Sequence, residues 1–328
     1  MRFPKKLPAA QLRRIIQTAF LAFMILTGIR FLLHYLWMTG ASAHAAGRPA
    51  TVEAFLPISG LLALKRLLLT GEWDTVHPAG LAILMMALAS AVLFRRAFCS
   101  HLCPLGAVSF LLFRLGRRLG ITWVPGPRAY AAMSIPKYLL LAFFLYLPLS
   151  MSVRQISFFL LSPYNVIADA KMLLFFMPPS LLTACCVTAL AWGSVVIPGF
   201  WCRCLCPYGA LLGILSLLSP VSIRRDGTGC TSCGRCAAAC PQGLRPDTGL
   251  RMAGTECLAC MECAGACGRG CLTARAGRRS ISGFGISLGL LALVALMYAG
   301  AELTGHWDHA IPEEMMRRLL ESAASISH

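Results

Sequence analysis

The chain has 328 residues, of which 57% are hydrophobic and only 13% are charged, and its mean hydropathy is +0.69. A soluble globular domain has about 25% charged residues, so this composition excludes an ordinary soluble protein and indicates a membrane protein with lipid as its solvent. The net charge of +17 could indicate a nucleic-acid partner. In membrane proteins, however, basic residues collect on the cytoplasmic side, so we predict no nucleic-acid partner.

Five apolar stretches predict membrane-spanning helices, since about 20 helical residues cross a hydrocarbon layer of about 30 Å. They cover residues 15–37, 79–94, 138–151, 180–200 and 283–303. The second and third are short, so we expect them to extend into their flanks. The first follows a basic segment, as a signal peptide would, but it is longer than the usual apolar region of about 7–15 residues. We therefore interpret it as a retained helix.

The basic residues are distributed unequally between the loops. Residues 1–14, 95–137 and 200–282 hold 22 of the 30 Lys and Arg residues, whereas the opposite loops and the tail hold seven. The positive-inside rule then predicts a multi-pass protein of the bacterial inner membrane. Its N-terminus would be cytoplasmic and its C-terminus periplasmic.

Several polar residues are predicted near the outer membrane face. Glu53, His77 and Asp169 are the candidates for a site that oxidises quinol, because a quinol needs a proton acceptor and a hydrogen-bond donor. Solvated loop charges are the alternative interpretation of the same residues. His34 and His77 are also candidate haem ligands, but the sequence offers no second intramembrane histidine pair to complete such a site.

A ten-residue motif occurs twice, at 98–107 and at 201–210, and each copy contains Cys-x3-Cys-Pro. Each copy follows an apolar stretch, and an amphipathic run precedes each of these, at 55–69 and at 159–176. This pattern predicts an internally duplicated membrane core. Cysteines four residues apart share one helical face, so we expect the two pairs to form a further redox or metal site, with simple packing of the bundle as the alternative. The four cysteines are Cys99, Cys103, Cys202 and Cys206.

Eight of the 16 cysteines form two consecutive runs with the spacing of a bacterial two-cluster ferredoxin. In that pattern the last cysteine of each run binds the other cluster. The predicted ligands of cluster one are Cys230, Cys233, Cys236 and Cys267. Those of cluster two are Cys257, Cys260, Cys263 and Cys240. Structural zinc also uses paired cysteines, but it does not account for two such four-cysteine runs.

The second run departs from the pattern, because Gly268 replaces the usual proline and Cys271 follows three residues later. We expect Cys271 to be a packed thiol, with a role as an alternative ligand left open.

Together these features predict an all-α polytopic membrane bundle of about five helices with an inserted α+β ferredoxin-like domain. The predicted domains are a duplicated transmembrane core at 1–223, a di-cluster domain at 224–279, and a final helix with a short tail at 280–328.

With these motifs in view, the chain resembles the NapH/NosR-type membrane-bound polyferredoxins over roughly residues 12–310. The resemblance is carried by the two Cys-x3-Cys-Pro motifs, the two ferredoxin runs, and short segments around Glu53, His77 and Asn165. It implies electron transfer between quinone, two 4Fe–4S clusters, and a partner such as a periplasmic cytochrome or reductase. It leaves the direction of flow open. The alternative is an accessory protein that matures a metalloenzyme or senses redox state.

Overall fold

A computed structural model describes residues 9–177 and 179–321. The basic segment 1–8 and the end of the tail, 322–328, lie outside the described residues. The chain divides into two compact units. Unit 1 comprises Met1–Ala22, Ala87–Leu141 and Val187–Leu293, and unit 2 comprises Phe23–Met86, Ala142–Cys186 and Val294–His328.

The described residues are mostly helical, with one small sheet. The helices are α1 Ala9–Met38, α2 Pro57–Thr70, α3 Pro78–Phe94, α4 Ala97–His101, α5 Pro104–Leu119, α6 Pro127–Met133, α7 Ile135–Ser150, α8 Val153–Leu160, α9 Pro163–Val166, α10 Ala168–Phe176, α11 Leu181–Val196, α12 Pro207–Leu215, α13 Arg235–Ala238, α14 Glu262–Gly265, α15 Gly283–Leu303 and α16 Glu313–Glu321. The strands are β1 Val221–Arg225, β2 Arg251–Met252, β3 Leu272–Ala276 and β4 Arg279–Ile281.

Three helical segments of the described chain are long and apolar enough to cross a membrane: α1, the run Pro127–Ser150 formed by α6 and α7, and α15. A fourth crossing exists if α10 and α11 form one bent span. Helix α3 has 17 residues and covers the predicted 79–94 with Pro78 added, whereas α11 has 16 residues and is shorter than the predicted 180–200. Arg95, with φ of +59°, directly follows α3, and Gly199, three residues beyond the end of α11, has φ of +66°.

In unit 1 the four strands form an antiparallel sheet in the order β2-β1-β3-β4. Ile223 of β1 pairs with Ala274 of β3, and both side chains are buried. The sheet holds the ends of the segment that carries the eight ferredoxin cysteines. In the same unit, α5 and α12 each begin at the proline of a Cys-x3-Cys-Pro motif, where the missing amide hydrogen costs nothing.

In unit 2 the two predicted amphipathic runs become α2 and the segment from α8 to α10. Leu62 and Ala63 of α2 pack against Ile156 and Leu160 of α8 in one buried cluster. A second cluster forms where Met316 and Leu320 of α16 pack against residues of α1 and α10. The tail helix is therefore part of the core of this unit.

Candidate functional site: three groups of cysteines and a buried charge network

The eight ferredoxin cysteines line two cavities of unit 1 in the crossed sets that the spacing predicts. One cavity, of about 240 Å³, is lined by Cys230, Cys233, Cys236 and Cys267, together with Cys271. The other is lined by Cys240, Cys257, Cys260 and Cys263. The donor sets suit iron–sulfur clusters, which are held by four thiolates each. Within the described residues, no three His, Cys, Asp or Glu side chains are spaced to hold a single metal ion.

The backbone of the two ferredoxin runs has the same unusual turn at matching positions. Ser232 and Ala259, each just before the second cysteine of a run, have φ of +52° and +49°. Gly234 and Met261, each just after that cysteine, have φ of +71° and +60°. Left-handed residues other than glycine cost about 1–3 kcal/mol each and persist where the surroundings fix them. The matching geometry turns three cysteines of each run toward one cavity.

The four cysteines of the repeated motif lie close together. Burial raises the pKa of the Cys202 thiol, and the neighbouring thiols of Cys206, Cys103 and Cys99 raise it further. Burial and the Cys99 thiol likewise raise the pKa of Cys103, to about 12. Thiols that oppose each other's ionisation would need a bound cation to become thiolates together. These mutual effects show that the four thiols lie within electrostatic reach of one another.

A glycine follows each Cys-Pro pair and has the same function in both copies. A Cβ atom at Gly106 would lie 2.2 Å from the carbonyl oxygen of Cys99. A Cβ atom at Gly209 would lie 3.1 Å from the carbonyl oxygen of Cys202. Each glycine thus lets the helix after the proline approach the first cysteine of its own motif.

A small cavity joins the repeated motif to the ferredoxin segment. It is lined by Cys99 and Cys202 from the two copies and by Cys260 from the second ferredoxin run. Cys99 and Cys260 also belong to one buried apolar cluster. The four-cysteine group is therefore a neighbour of the cluster-two cysteines within unit 1.

Buried ion pairs hold this arrangement in place, and sequence analysis had counted their basic residues only as part of the charge bias. The Arg96 guanidinium is fully buried and donates to Glu256 Oε2 at 2.9 Å and to the Cys202 carbonyl at 3.3 Å. Lys137, also fully buried, pairs with the other Glu256 oxygen. Arg96 thus links the four-cysteine group to the residue just before Cys257.

A second set of ion pairs involves the start of α1. Glu262 lies between two cluster-two cysteines, and its oxygens accept from Arg13 at 2.6 Å and Arg14 at 2.6 Å. Arg13 also donates to the Ser100 carbonyl at 3.0 Å, inside the first Cys-x3-Cys motif. Arg13 and Arg96 were counted above as evidence of a cytoplasmic loop, yet both side chains are internal.

In unit 2 the three quinol candidates come together around one arginine. Arg48 donates to Glu53 at 2.8 Å and to Asp169 at 2.7 Å, and all three side chains are at least 95% buried. Glu53 also accepts from the Gly80 amide at 2.9 Å, and His77 Nδ1 lies 3.3 Å from its other oxygen. Sequence reasoning treated Arg48 as a loop residue, but it is the centre of the network.

The hydrogen bonds of His77 fix where its proton lies. Its Nε2 lies 2.6 Å from the carbonyl oxygen of Asn165. A carbonyl only accepts, so Nε2 carries a hydrogen and Nδ1 faces the Glu53 carboxylate. Burial lowers the pKa of His77, but the hydrogen bond and the charge of Glu53 outweigh it, so the net pKa is raised. The pair therefore has a place for one exchangeable proton at Nδ1.

Two cavities adjoin this network. The larger, of about 940 Å³, is lined mainly by apolar side chains and by Ser59 and Asn165, whose side chains hydrogen-bond to each other. The smaller, of about 190 Å³, is lined by Arg48, His34 and residues of the tail. Helix α16 contributes to both, through Leu320 in the larger and Met316 in the smaller. His34 itself bonds through Nδ1 to the Ala46 carbonyl.

Comparison with known proteins agrees with these sites. The family described as 4Fe-4S binding domain matches residues 76–122 and again 179–225, the segments that contain the two Cys-x3-Cys-Pro motifs. The family described as 4Fe-4S dicluster domain matches residues 222–268. The "Putative electron transport protein YccM" of Escherichia coli (strain K12) is 38% identical over 334 residues, covering 96% of this chain and 91% of that protein. The chain belongs to the YccM family of ferredoxin-type electron transport proteins.

More distant members of this family share part of the chain. Protein NirI of Paracoccus denitrificans is 29% identical over 57% of this chain and 28% of its own length. The methylamine utilization ferredoxin-type protein MauN of Methylorubrum extorquens is 29% identical over 57% of this chain and 61% of its own length. No solved structure matches. Family membership is consistent with the NapH/NosR-type resemblance and makes this chain an electron transport protein with 4Fe–4S domains and apolar membrane helices.

Proposed function

We propose that the chain transfers electrons between the quinone pool and a redox partner protein through two [4Fe–4S] clusters, as a quinol dehydrogenase subunit would. The observation that supports this most strongly is the continuity of the three cysteine groups in unit 1. Cys99 and Cys202 share a cavity with Cys260, and the crossed cysteines Cys240 and Cys267 connect the two ferredoxin sites. This order is a route for single electrons.

The ligands of the two clusters are assigned as the sequence predicted. Cluster one would be held by Cys230, Cys233, Cys236 and Cys267, and cluster two by Cys257, Cys260, Cys263 and Cys240. Two variants test this assignment: Cys233→Ser should remove one cluster and Cys260→Ser the other, because each cysteine is a ligand of a different cluster. The iron content of each purified variant and its electron paramagnetic resonance spectrum would measure the loss. An unchanged iron content in both variants would contradict the assignment.

We assign quinol oxidation to the network of Arg48, Glu53, His77 and Asp169 and to the 940 Å³ cavity beside it. A cavity of that size and apolar lining, with few polar groups, is typical of sites for small organic molecules. Oxidation of one quinol releases two electrons and two protons. Two one-electron clusters match the electrons. The His77–Glu53 pair accepts the first proton at its empty Nδ1 position, passes it to solvent, and then accepts the second.

The experiment for the quinone part uses full-length protein in lipid with both clusters assembled. A quinol analogue should reduce the clusters, and Glu53→Gln should slow this reduction at least tenfold because it removes the acceptor beside His77. Glu72→Gln is the matched control, since Glu72 is an exposed carboxylate of the same unit that pairs with Arg66 outside the network. Intact clusters that stay oxidised in the presence of the analogue would refute the quinone part and favour a maturation or sensing role.

The four-cysteine group is proposed as a further redox or metal site that acts as one unit. Cys103→Ala and Cys206→Ala should each abolish electron transfer from quinol to the ferredoxin clusters, and the double variant should be no slower. Residues that act together give such non-additive losses. The ferredoxin clusters should still assemble, because their ligands lie elsewhere. Near-normal transfer in both single variants would mean that these cysteines only pack.

We further propose that the membrane is the bacterial inner membrane and that the ferredoxin segment faces the cytoplasm. The bias of basic residues supports this orientation. A reporter inserted at Gly249, a half-buried residue shortly before β2, would test it. Periplasmic activity of the reporter would overturn the topology.

A further inference from the structure

The surface around the cluster-one cavity carries an unusual excess of positive charge. Residues 224–279 contain nine arginines, no lysine and four carboxylates. Two of those carboxylates, Glu256 and Glu262, are paired inward with basic residues of the helical core. A third, Asp247, is paired with Arg245. The outer surface of this segment is therefore strongly basic.

Three of these arginines line the cluster-one cavity itself: Arg225, Arg235 and Arg269. Arg225 is half-buried, and its Nη1 lies 3.7 Å from the Cys230 sulfur, so it can offset the charge of a bound thiolate. Arg235 and Arg269 are exposed. Among the described residues, no carboxylate pairs with either one, and neither side chain donates a hydrogen bond. Their charges are directed to solvent beside an accessible redox site, where Cys233 is also exposed.

We propose that this arginine-rimmed cavity is the docking surface for an acidic, soluble, one-electron carrier protein that exchanges electrons directly with cluster one. The proposal rests on the proposed function, because it needs a cluster at these cysteines. In the direction that the test below measures, the carrier loses one electron and cluster one changes from [4Fe–4S]²⁺ to [4Fe–4S]⁺. No bond forms or breaks, and the electron can return by the same contact.

Charge complementarity is the reason for choosing this partner. Three arginines line the cavity against one carboxylate, Asp247, which is paired with Arg245. An excess of one sign of charge in a cleft raises association rates with oppositely charged partners by about 10–10³-fold at low salt. Electron transfer needs a brief encounter of two redox centres, and weak interfaces of this kind are small and charged. An anionic lipid surface would also attract arginines, but it would gain nothing from an open cysteine-lined cavity at their centre.

The test uses the full-length protein in neutral-lipid nanodiscs and a plant-type [2Fe–2S] ferredoxin of strongly negative charge as the probe. Arg235→Glu and Arg269→Glu should each lower the second-order rate constant for reduction of cluster one by at least tenfold at low ionic strength. Both should also flatten its dependence on salt. Equilibrium binding of the oxidised probe, measured without electron transfer, should weaken in parallel. Reduction by a small neutral donor, photoreduced deazariboflavin, should be unchanged and would report that the cluster is intact.

Arg118→Glu is the control, because Arg118 is an exposed arginine at the end of α5 that does not line the cavity. It makes the same change of charge and should alter the rate less than twofold. An equal loss in this control would reduce the effect to net charge and overturn the docking site. Unchanged rates in both cavity variants would overturn it as well, and if those variants instead lost binding to phosphatidylglycerol vesicles the surface would be a lipid contact. Reduction by quinol in the same samples tests the proposed function separately.

Discussion

Replacing Glu256 by glutamine tests how firmly the ferredoxin segment is held beside the four-cysteine group. Glu256 accepts from Arg96 through one oxygen and from Lys137 through the other, and both basic side chains are 0% exposed. Burial raises the pKa of Glu256, but the charges of Arg96 and Lys137 outweigh it and lower the net pKa, so the carboxylate is ionised at neutral pH. The variant would leave two buried positive charges without a counter-charge.

Removing one partner of a buried ion pair costs about 3–5 kcal/mol, which is a large part of the 5–15 kcal/mol that stabilises a typical domain. We expect this loss of stability to appear as local opening of the loop at Cys257. Native-state hydrogen exchange of that loop measures local opening directly, whereas a single melting temperature is poorly defined for a chain of several cooperative units. The control is Glu314→Gln, whose exposed pair with Arg318 should contribute no more than about 1 kcal/mol. Equal protection of the Cys257 loop from hydrogen exchange in the two variants would refute the role of the buried pair.

Three further changes have definite expected outcomes. Gly106→Ala should lower metal occupancy of the four-cysteine group and destabilise the protein by about 1–3 kcal/mol, because the new methyl group would meet the Cys99 carbonyl; iron analysis and urea unfolding measure the two effects. Since the folded pKa of His77 is raised, its charged form stabilises the protein below about pH 6.5, and that contribution is lost as pH rises through the folded value. Quinol oxidation, which needs neutral His77, should therefore increase over that same rise, and Glu53→Gln should move the rate profile to lower pH. Lys65→Met should cost about 1–2 kcal/mol, because the Lys65 amine donates to three carbonyls at the end of α7; an unchanged denaturation midpoint would contradict this.

The ferredoxin segment was the part of the fold most open to prediction from sequence. Cysteine spacing groups the residues that would bind one cluster, and the members of each predicted set line one cavity. The repeat of one motif predicted that Cys99 and Cys202 would lie together, and the two residues line one cavity. These features are local or periodic, so a linear sequence displays them.

The charge network could be predicted only in part. Glu53, His77 and Asp169 were selected because ionisable groups at membrane depth often have a function. Nothing in the sequence marked Arg48 as their common partner. Likewise, Arg96 was read as a loop residue, although it is buried beside Cys202. Long-range ion pairs join residues about 120–160 positions apart, and single-sequence patterns carry no information at that separation. The span at 180–200 was predicted too long for a different reason, since hydropathy does not reveal that α11 ends at Val196 before the turn at Gly199.

The position of α16 in two cavity walls has a consequence for how the protein is made. Synthesis proceeds from the N-terminus, so this helix leaves the ribosome after every other described element. Until then, Phe31 and Val166 lack the tail residues that cover them, and neither the 940 Å³ nor the 190 Å³ cavity has its full wall. The cysteine groups of unit 1, which use no residue of α16, have no such delay. Cluster insertion and closure of the two cavities beside the charge network would therefore be separate, successive events in biogenesis, with the cavities completed last.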